Sequence, residues 1–220
     1  MLPNNIIITW KTDDIPKYVI DNIKRVNPDK EILFFPDSEV VKFLAKHYDS
    51  TYVDFFHSLK LGCTKGDFFR YCYLKKFGGF YSDIDIYHIK PISSYINNDT
   101  SFFSIISVMS YLPNPHLSIF QALLYCEAEH PVITTCIEKI MSDNAKQDEF
   151  YCTTQDMYSA ICEYVNETKL TDRNYNTQNG LLSLGKEVNT NYGFACSKGE
   201  DIIALSRYPN YVREKGFMHT

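Results

Sequence analysis

Asp67-Phe68-Phe69-Arg70-Tyr71-Cys72-Tyr73-Leu74-Lys75-Lys76-Phe77-Gly78-Gly79-Phe80-Tyr81-Ser82-Asp83-Ile84-Asp85 reads as a helix, a stop, a strand and a pair of carboxylates. Leu61, Phe68, Tyr71, Cys72 and Leu74 give an apolar face to a helix over 60–77, and Gly78-Gly79 supplies a left-handed stop. Phe80-Tyr81 then leads a strand that continues through Asp83-Ile84-Asp85-Ile86 until Lys90-Pro91 ends it. Alternate residues of an extended chain face the same way. Asp83 and Asp85 would therefore present two hard oxygen ligands together, suited to Mn²⁺ or Mg²⁺ with room left for a diphosphate. Two adjacent buried carboxylates repel unless a cation neutralises them. By itself an Asp-x-Asp step is common, and a turn-capping Asp beside a solvated one is the plain alternative.

Working outward, Asn5 to Trp10 is a continuous β-branched run and predicts a buried strand. Thr12-Asp13-Asp14 with Ile15-Pro16 starts a helix, Glu31 to Phe35 is a second strand, and Pro36-Asp37-Ser38 opens a helix toward His47. Strand, helix, strand, helix predicts an α/β fold with a mixed, mainly parallel sheet flanked by helices. Downstream, 101–108 and 119–125 read as strands and 131–141 as an amphipathic helix. Thr153 or Thr154 caps another helix to about Val165. Residues 166–179 read as a polar surface loop and 187–207 as short strands and turns.

The net charge is −5 and no basic run appears, which disfavours nucleic acid as a partner. The 17 Tyr and 15 Phe suit a core with flat surfaces or a stacking cleft. Seven Cys without a Cys-x-x-Cys pair predict buried free thiols in a reducing compartment. The first residues lack a basic leader, and the apolar run at 6–9 is too short to span a membrane. The expectation is a cytoplasmic protein with no membrane span.

The segment 65–85 resembles the signature of the retaining, Och1-like glycosyltransferases with a DXD sugar-binding region. In that family a helix of the form (Ser/Ala)-Asp-x-x-Arg-Tyr-x-x-Leu-x-x-x-Gly-Gly-x-Tyr-x-Asp-x-Asp precedes the metal site. Ile8-Thr9-Trp10-Lys11, Ile15-Pro16, Asn27-Pro28-Asp29 and Glu129-His130-Pro131 are also similar to family motifs. The resemblance covers about the first two-thirds of the chain. It implies a GT-A fold, which is Rossmann-like with the nucleotide at the carboxyl ends of the strands. Residues 1–220 would form one domain, with a nucleotide-sugar-binding half (1–110) and an acceptor half (111–220).

The implied reaction moves a sugar with retention from a nucleoside-diphosphate sugar, UDP-sugar favoured, to a glycan or glycoprotein hydroxyl. Asp85 would bind the metal directly, and Asp83 would share it while contacting ribose or sugar; Ile84 between them belongs to the donor-binding set. Asp67 and Arg70 share a helix face, where Asp67 would accept from sugar hydroxyls and Arg70 would pair with it or reach a phosphate. A plain intrahelical ion pair is the alternative. Thr9 and Trp10 end the first strand where the base would sit, Trp10 stacking there or lying in the core. Lys11 touches the diphosphate or stays solvated, and Tyr81 faces the nucleotide. Thr153-Thr154-Gln155-Asp156 stands where the family has a Thr-Gly-Pro turn, but this chain has no Gly-Pro. Gln155 or Asp156 would lie near the anomeric carbon, unless the segment is simply a helix start. His219 would be a third metal ligand, although the expected downstream Gly-Ser-Trp is missing. His47, His57, His88, His116 and His130 lack metal spacing and read as structural. A catalytically idle glycan-binding or scaffolding module is the competing reading, and Tyr87 in place of a Thr argues against an Asp-x-Asp-x-Thr phosphatase.

Overall fold

The computed structural model describes residues 4–108, 117–142, 152–190 and 193–206. The chain opens with strand β1 (Asn5–Trp10), helix α1 (Lys17–Val26), strand β2 (Glu31–Pro36) and helix α2 (Asp37–His47). Ile6 and Ile8 of β1 enter one apolar cluster and Ile7 the other, because alternate residues of a pleated strand face opposite sides. Both faces are covered, as a continuous β-branched run requires. α1 supplies Val19 and Ile23 on one side, while α2 and α4 (Gly62–Phe77) supply Phe43, Leu44, Phe68 and Leu74 on the other.

β3 (Gly79–Ser82) pairs in parallel with β1, so their carboxyl ends share one edge. The remaining strands are β4 (Tyr87–His88), β5 (Thr100–Ile106), β6 (Ile119–Cys126), β7 (Asn174–Thr177), β8 (Gly180–Thr190), β9 (Gly193–Lys198) and β10 (Asp201–Ser206). Among the described residues they form one sheet in the order β2-β1-β3-β6-β5-β8-β9-β10-β4, with β7 beside β8. Parallel pairing holds the β2-β1-β3 core and recurs between β5 and β8; the other pairs are antiparallel. β3 and β4 are joined by only Asp83–Ile86 yet lie far apart in that order. The sheet therefore curls, and its β4 end returns to the carboxyl end of β3. Helices α5 (Pro131–Ser142) and α6 (Cys152–Val165) pack together and cover the α4 side.

Two features depart from the sequence reading. A helix α3 (Ser50–Ser58) follows α2 directly, its start capped by Asp49, which accepts from the Thr51 N–H at 2.9 Å. β7 forms inside the expected polar loop, whereas the described part of 187–207 holds the expected short strands, paired antiparallel as the end of β8, β9 and β10. Gly185 lets β9 come close, since a Cβ there would run into the Ser197 carbonyl. Among the thiols, Cys72, Cys126, Cys136 and Cys196 are buried and Cys162 is half-buried. Cys63 is exposed, because the first turn of α4 faces solvent.

Candidate functional site

α4 is buried continuously from Asp67 to Leu74, so its polar side chains at 67 and 70 must find partners inside the fold. They find each other: Arg70 Nη2 lies 3.0 Å from Asp67 Oδ1. The same nitrogen is 3.0 Å from Asp83 Oδ1, and Nη1 donates to the Gln121 carbonyl at 2.8 Å. The guanidinium also lies 4.3 Å over the Tyr81 ring, whose hydroxyl donates to Asp83 Oδ1 at 2.7 Å. One buried cation thus holds a helix carboxylate and a post-strand carboxylate together.

The turn after β3 corrects one expectation. The strand does not continue through Asp83 and Asp85; it ends at Ser82, and the next residues turn, with Ile86 N–H reaching the Asp83 carbonyl at 3.3 Å. Ile84 and Ile86 bury into the core at 7% and 4% exposure, leaving Asp83 and Asp85 half-buried on the outer side. The turn therefore achieves the separation of carboxylates from apolar residues that a strand was expected to give. Ile84 can offer a donor only its backbone. Ser82 and His88 bracket the turn, Ser82 Oγ lying 3.0 Å from His88 Nε2. Asn22 of α1 clamps His88 by a pair of bonds, donating to its carbonyl at 3.0 Å and accepting from its N–H at 2.8 Å.

Burial and charge act in opposition here. Burial raises the Asp67 carboxyl above its ordinary range, against the pull of Arg70 and the Thr153 hydrogen bond. Burial alone would lower Arg70, but the charges of Asp83, Tyr81 and Asp67 outweigh it and raise the group. Tyr81 is pushed well above the usual phenol range, first by burial. The guanidinium is a fixed cation under all ordinary conditions, and the phenol is a fixed donor.

Thr9 stands at the same carboxyl edge, half-buried, donating to the Phe35 carbonyl at 2.7 Å and lying against Gly66 of α4. Trp10 is half-buried beside it, and exposed Lys11 places its ammonium 5.7 Å from the Trp10 ring centre. The structure thus brings Thr9, Asp67, Arg70, Tyr81 and Asp83 to one edge. Gln155 is exposed and Asp156 half-buried in the first turns of α6, where Thr153 and Thr154 lie inside the helix instead of capping it. His219, like His116, falls outside the described residues. Sequence reasoning named Tyr71 only on the apolar face of the helix and Thr153 only at a helix start, and it missed Gln121 and the contacts that join the three. Thr153 Oγ1 donates to Asp67 Oδ2 at 2.5 Å and accepts from Gln121 Nε2 at 3.3 Å, while Tyr71 donates to Gln121 Oε1 at 2.5 Å. No local pattern marks their convergence, because they meet across 32 to 86 residues of chain.

No cluster of three or more His, Cys, Asp or Glu side chains forms a metal cage among the described residues. The donor chemistry nevertheless suits a hard cation: Asp67 and Asp83 share a single guanidinium and keep one net negative charge, and the Asp83 side chain is 33% exposed.

Residues 13–102 match the family model of the glycosyltransferase sugar-binding region containing the DXD motif, a span that includes α4, Asp83 and Asp85. Over 105 residues the chain is 29% identical to inositol phosphoceramide mannosyltransferase 1 of Schizosaccharomyces pombe, covering 45% of this chain and 33% of that protein. Mannosyl phosphorylinositol ceramide synthase of Saccharomyces cerevisiae is 28% identical over 88 residues, covering 39% of this chain and 23% of that protein. The match thus spans a third or less of these relatives. The PaToxG glycosyltransferase structure superposes with a TM-score of 0.55 at 16% identity, covering 74% of this chain and 69% of that one. That likeness gives the fold, the mixed α/β sheet of GT-A glycosyltransferases. No described helix is long and apolar enough to cross a membrane. The family match and the relatives together support a glycosyltransferase.

Proposed function

We propose that this chain moves a sugar from a nucleoside-diphosphate sugar to a hydroxyl of a glycan or glycoprotein, with retention at the anomeric carbon. The observation that carries the reading is the Asp67–Arg70–Asp83 cluster: buried at α4, opening to solvent at Asp83, and set at the carboxyl edge of β1 and β3. In open α/β sheets ligands settle in the crevice outside that edge.

Thr9, Trp10 and Lys11 would receive the nucleotide at the end of β1. Asp67 would accept from sugar hydroxyls, and Arg70 would hold Asp83 in place. Asp83 and Asp85 would hold Mn²⁺ or Mg²⁺, which when bound neutralises the departing diphosphate. Gln155 or Asp156 of α6 would approach the anomeric carbon. His219 as a further ligand, a cytoplasmic location, a single domain over 1–220, and kinship with the Och1-like branch or with virus-encoded enzymes that glycosylate capsid proteins are parts of the same proposal. The curated relatives are named for mannosyl transfer to inositol phosphoceramide. A mannosyl donor therefore belongs in any screen beside the UDP-sugars.

The test is a thermal-shift screen of UDP- and GDP-sugars with and without MnCl₂. At saturating concentration one donor should raise the melting temperature by about 5 °C, and only with the metal. If no nucleotide sugar shifts the transition, the donor-site reading fails. NMR of the product would contradict retention by showing the inverted anomer.

A further inference from the structure

We infer that Thr153, in the first turn of α6, is a positioning residue that aims the Asp67 carboxylate at the donor sugar; this rests on the reading that Asp67 faces that sugar. The hydrogen bonds run in one direction. Tyr71 donates to Gln121, Gln121 donates to Thr153, and Thr153 donates to Asp67 Oδ2. Arg70 holds the other oxygen, Oδ1, at 3.0 Å. Thr153, Gln121 and Tyr71 are buried, at 3%, 3% and 1% exposure. The relay therefore reaches Asp67 shielded from water, where a hydrogen bond to a charged acceptor is strongest.

Two donors from different elements, one on α4 and one on α6, fix the plane of the carboxylate. A carboxylate has about four acceptor positions, and these two bonds occupy one on each oxygen. The remaining positions lie in the plane that these bonds fix, and 7% of Asp67 stays exposed. Without the Thr153 hydroxyl, Arg70 alone among the described residues would restrain the group, and it could rotate about its own side chain. The same bond ties the first turn of α6, with Gln155 and Asp156, to the α4 network. The half of the chain expected to meet the acceptor is thereby registered against the donor half.

The experiment compares wild type, Thr153→Val, Thr153→Ser and Asp67→Asn by isothermal titration with UDP-glucose, GDP-mannose, UDP and GDP, each with MnCl₂. Thr153→Val should weaken the nucleotide sugar by about tenfold and leave the bare nucleotide within about twofold. Thr153→Ser, which keeps the hydroxyl, should restore binding. Equal losses for sugar and bare nucleotide would show a merely structural role and overturn the inference. Wild-type affinity in Thr153→Val, with a selective loss in Asp67→Asn, would overturn the inference alone. No selective loss in Asp67→Asn would sink the donor-site reading and the inference with it. Should Thr153→Val fail to fold, Thr153→Ala, which leaves room for water, makes the same comparison.

Discussion

At the residue scale the site is organised by Arg70. Its guanidinium satisfies Asp67, Asp83 and the Gln121 carbonyl at once and stacks on Tyr81. Removing one partner of a buried charge cluster costs more than the cluster contributes, because the remaining charge stays buried without compensation. Arg70→Met should therefore destabilise the fold by about 3–5 kcal/mol in urea unfolding. Adding Asp67→Asn to it should recover part of that loss, since the stranded carboxylate is gone; an additive further loss would contradict the account. Arg70 and Asp67 were legible in the sequence as a helix pair three apart, and Asp83 as part of an Asp-x-Asp step. Their convergence on one guanidinium was not, because the spacing within α4 says nothing about which strand end the helix crosses.

At the scale of elements, the joint between α4 and β3 sets the geometry. Gly78 ends α4 with φ 64° and ψ −173°, a region that only glycine enters freely and distinct from the left-handed helical stop that Gly-Gly suggested. A Cβ there would also stand 2.8 Å from the Ala128 backbone nitrogen. Gly78→Ala should lower stability by more than about 1 kcal/mol and, by moving the start of β3, should weaken donor binding as well. Unchanged melting would show that the joint is less constrained than described. The first four elements and α4 were legible to within a few residues because their apolar periods are strong. α3 was hidden by its short length, despite the cap at Asp49. The strands after Glu187 were legible as short strands and turns, but the start of β8 at Gly180 and the pairing of β8 with parallel β5 were not, because that partner lies about 80 residues away in the chain. The turn at Asp83–Ile86 was read as strand for a physical reason: burying Ile84 and Ile86 while exposing the residues between them gives the same period-two pattern in a tight turn as in a strand.

At the scale of the molecule, one curled sheet brings its β4 end back to the carboxyl end of β3, so the Asp-x-Asp turn becomes the seam of the fold. Asn22, Ser82 and His88 stitch that seam from the core side, and Arg70 and Tyr81 hold it from the α4 side. A turn fixed from both sides holds Asp83 in place, which is what the proposed metal and diphosphate site would require. The central claim is that Asp83 and Asp85 hold the metal that binds the donor diphosphate. Calorimetric titration of a nucleotide sugar into wild type and Asp85→Ala, each with and without MnCl₂, tests it most directly. Wild type should bind only with Mn²⁺, and Asp85→Ala should lose at least about tenfold in that metal-dependent affinity. Metal-dependent binding of equal strength in Asp85→Ala would contradict the account.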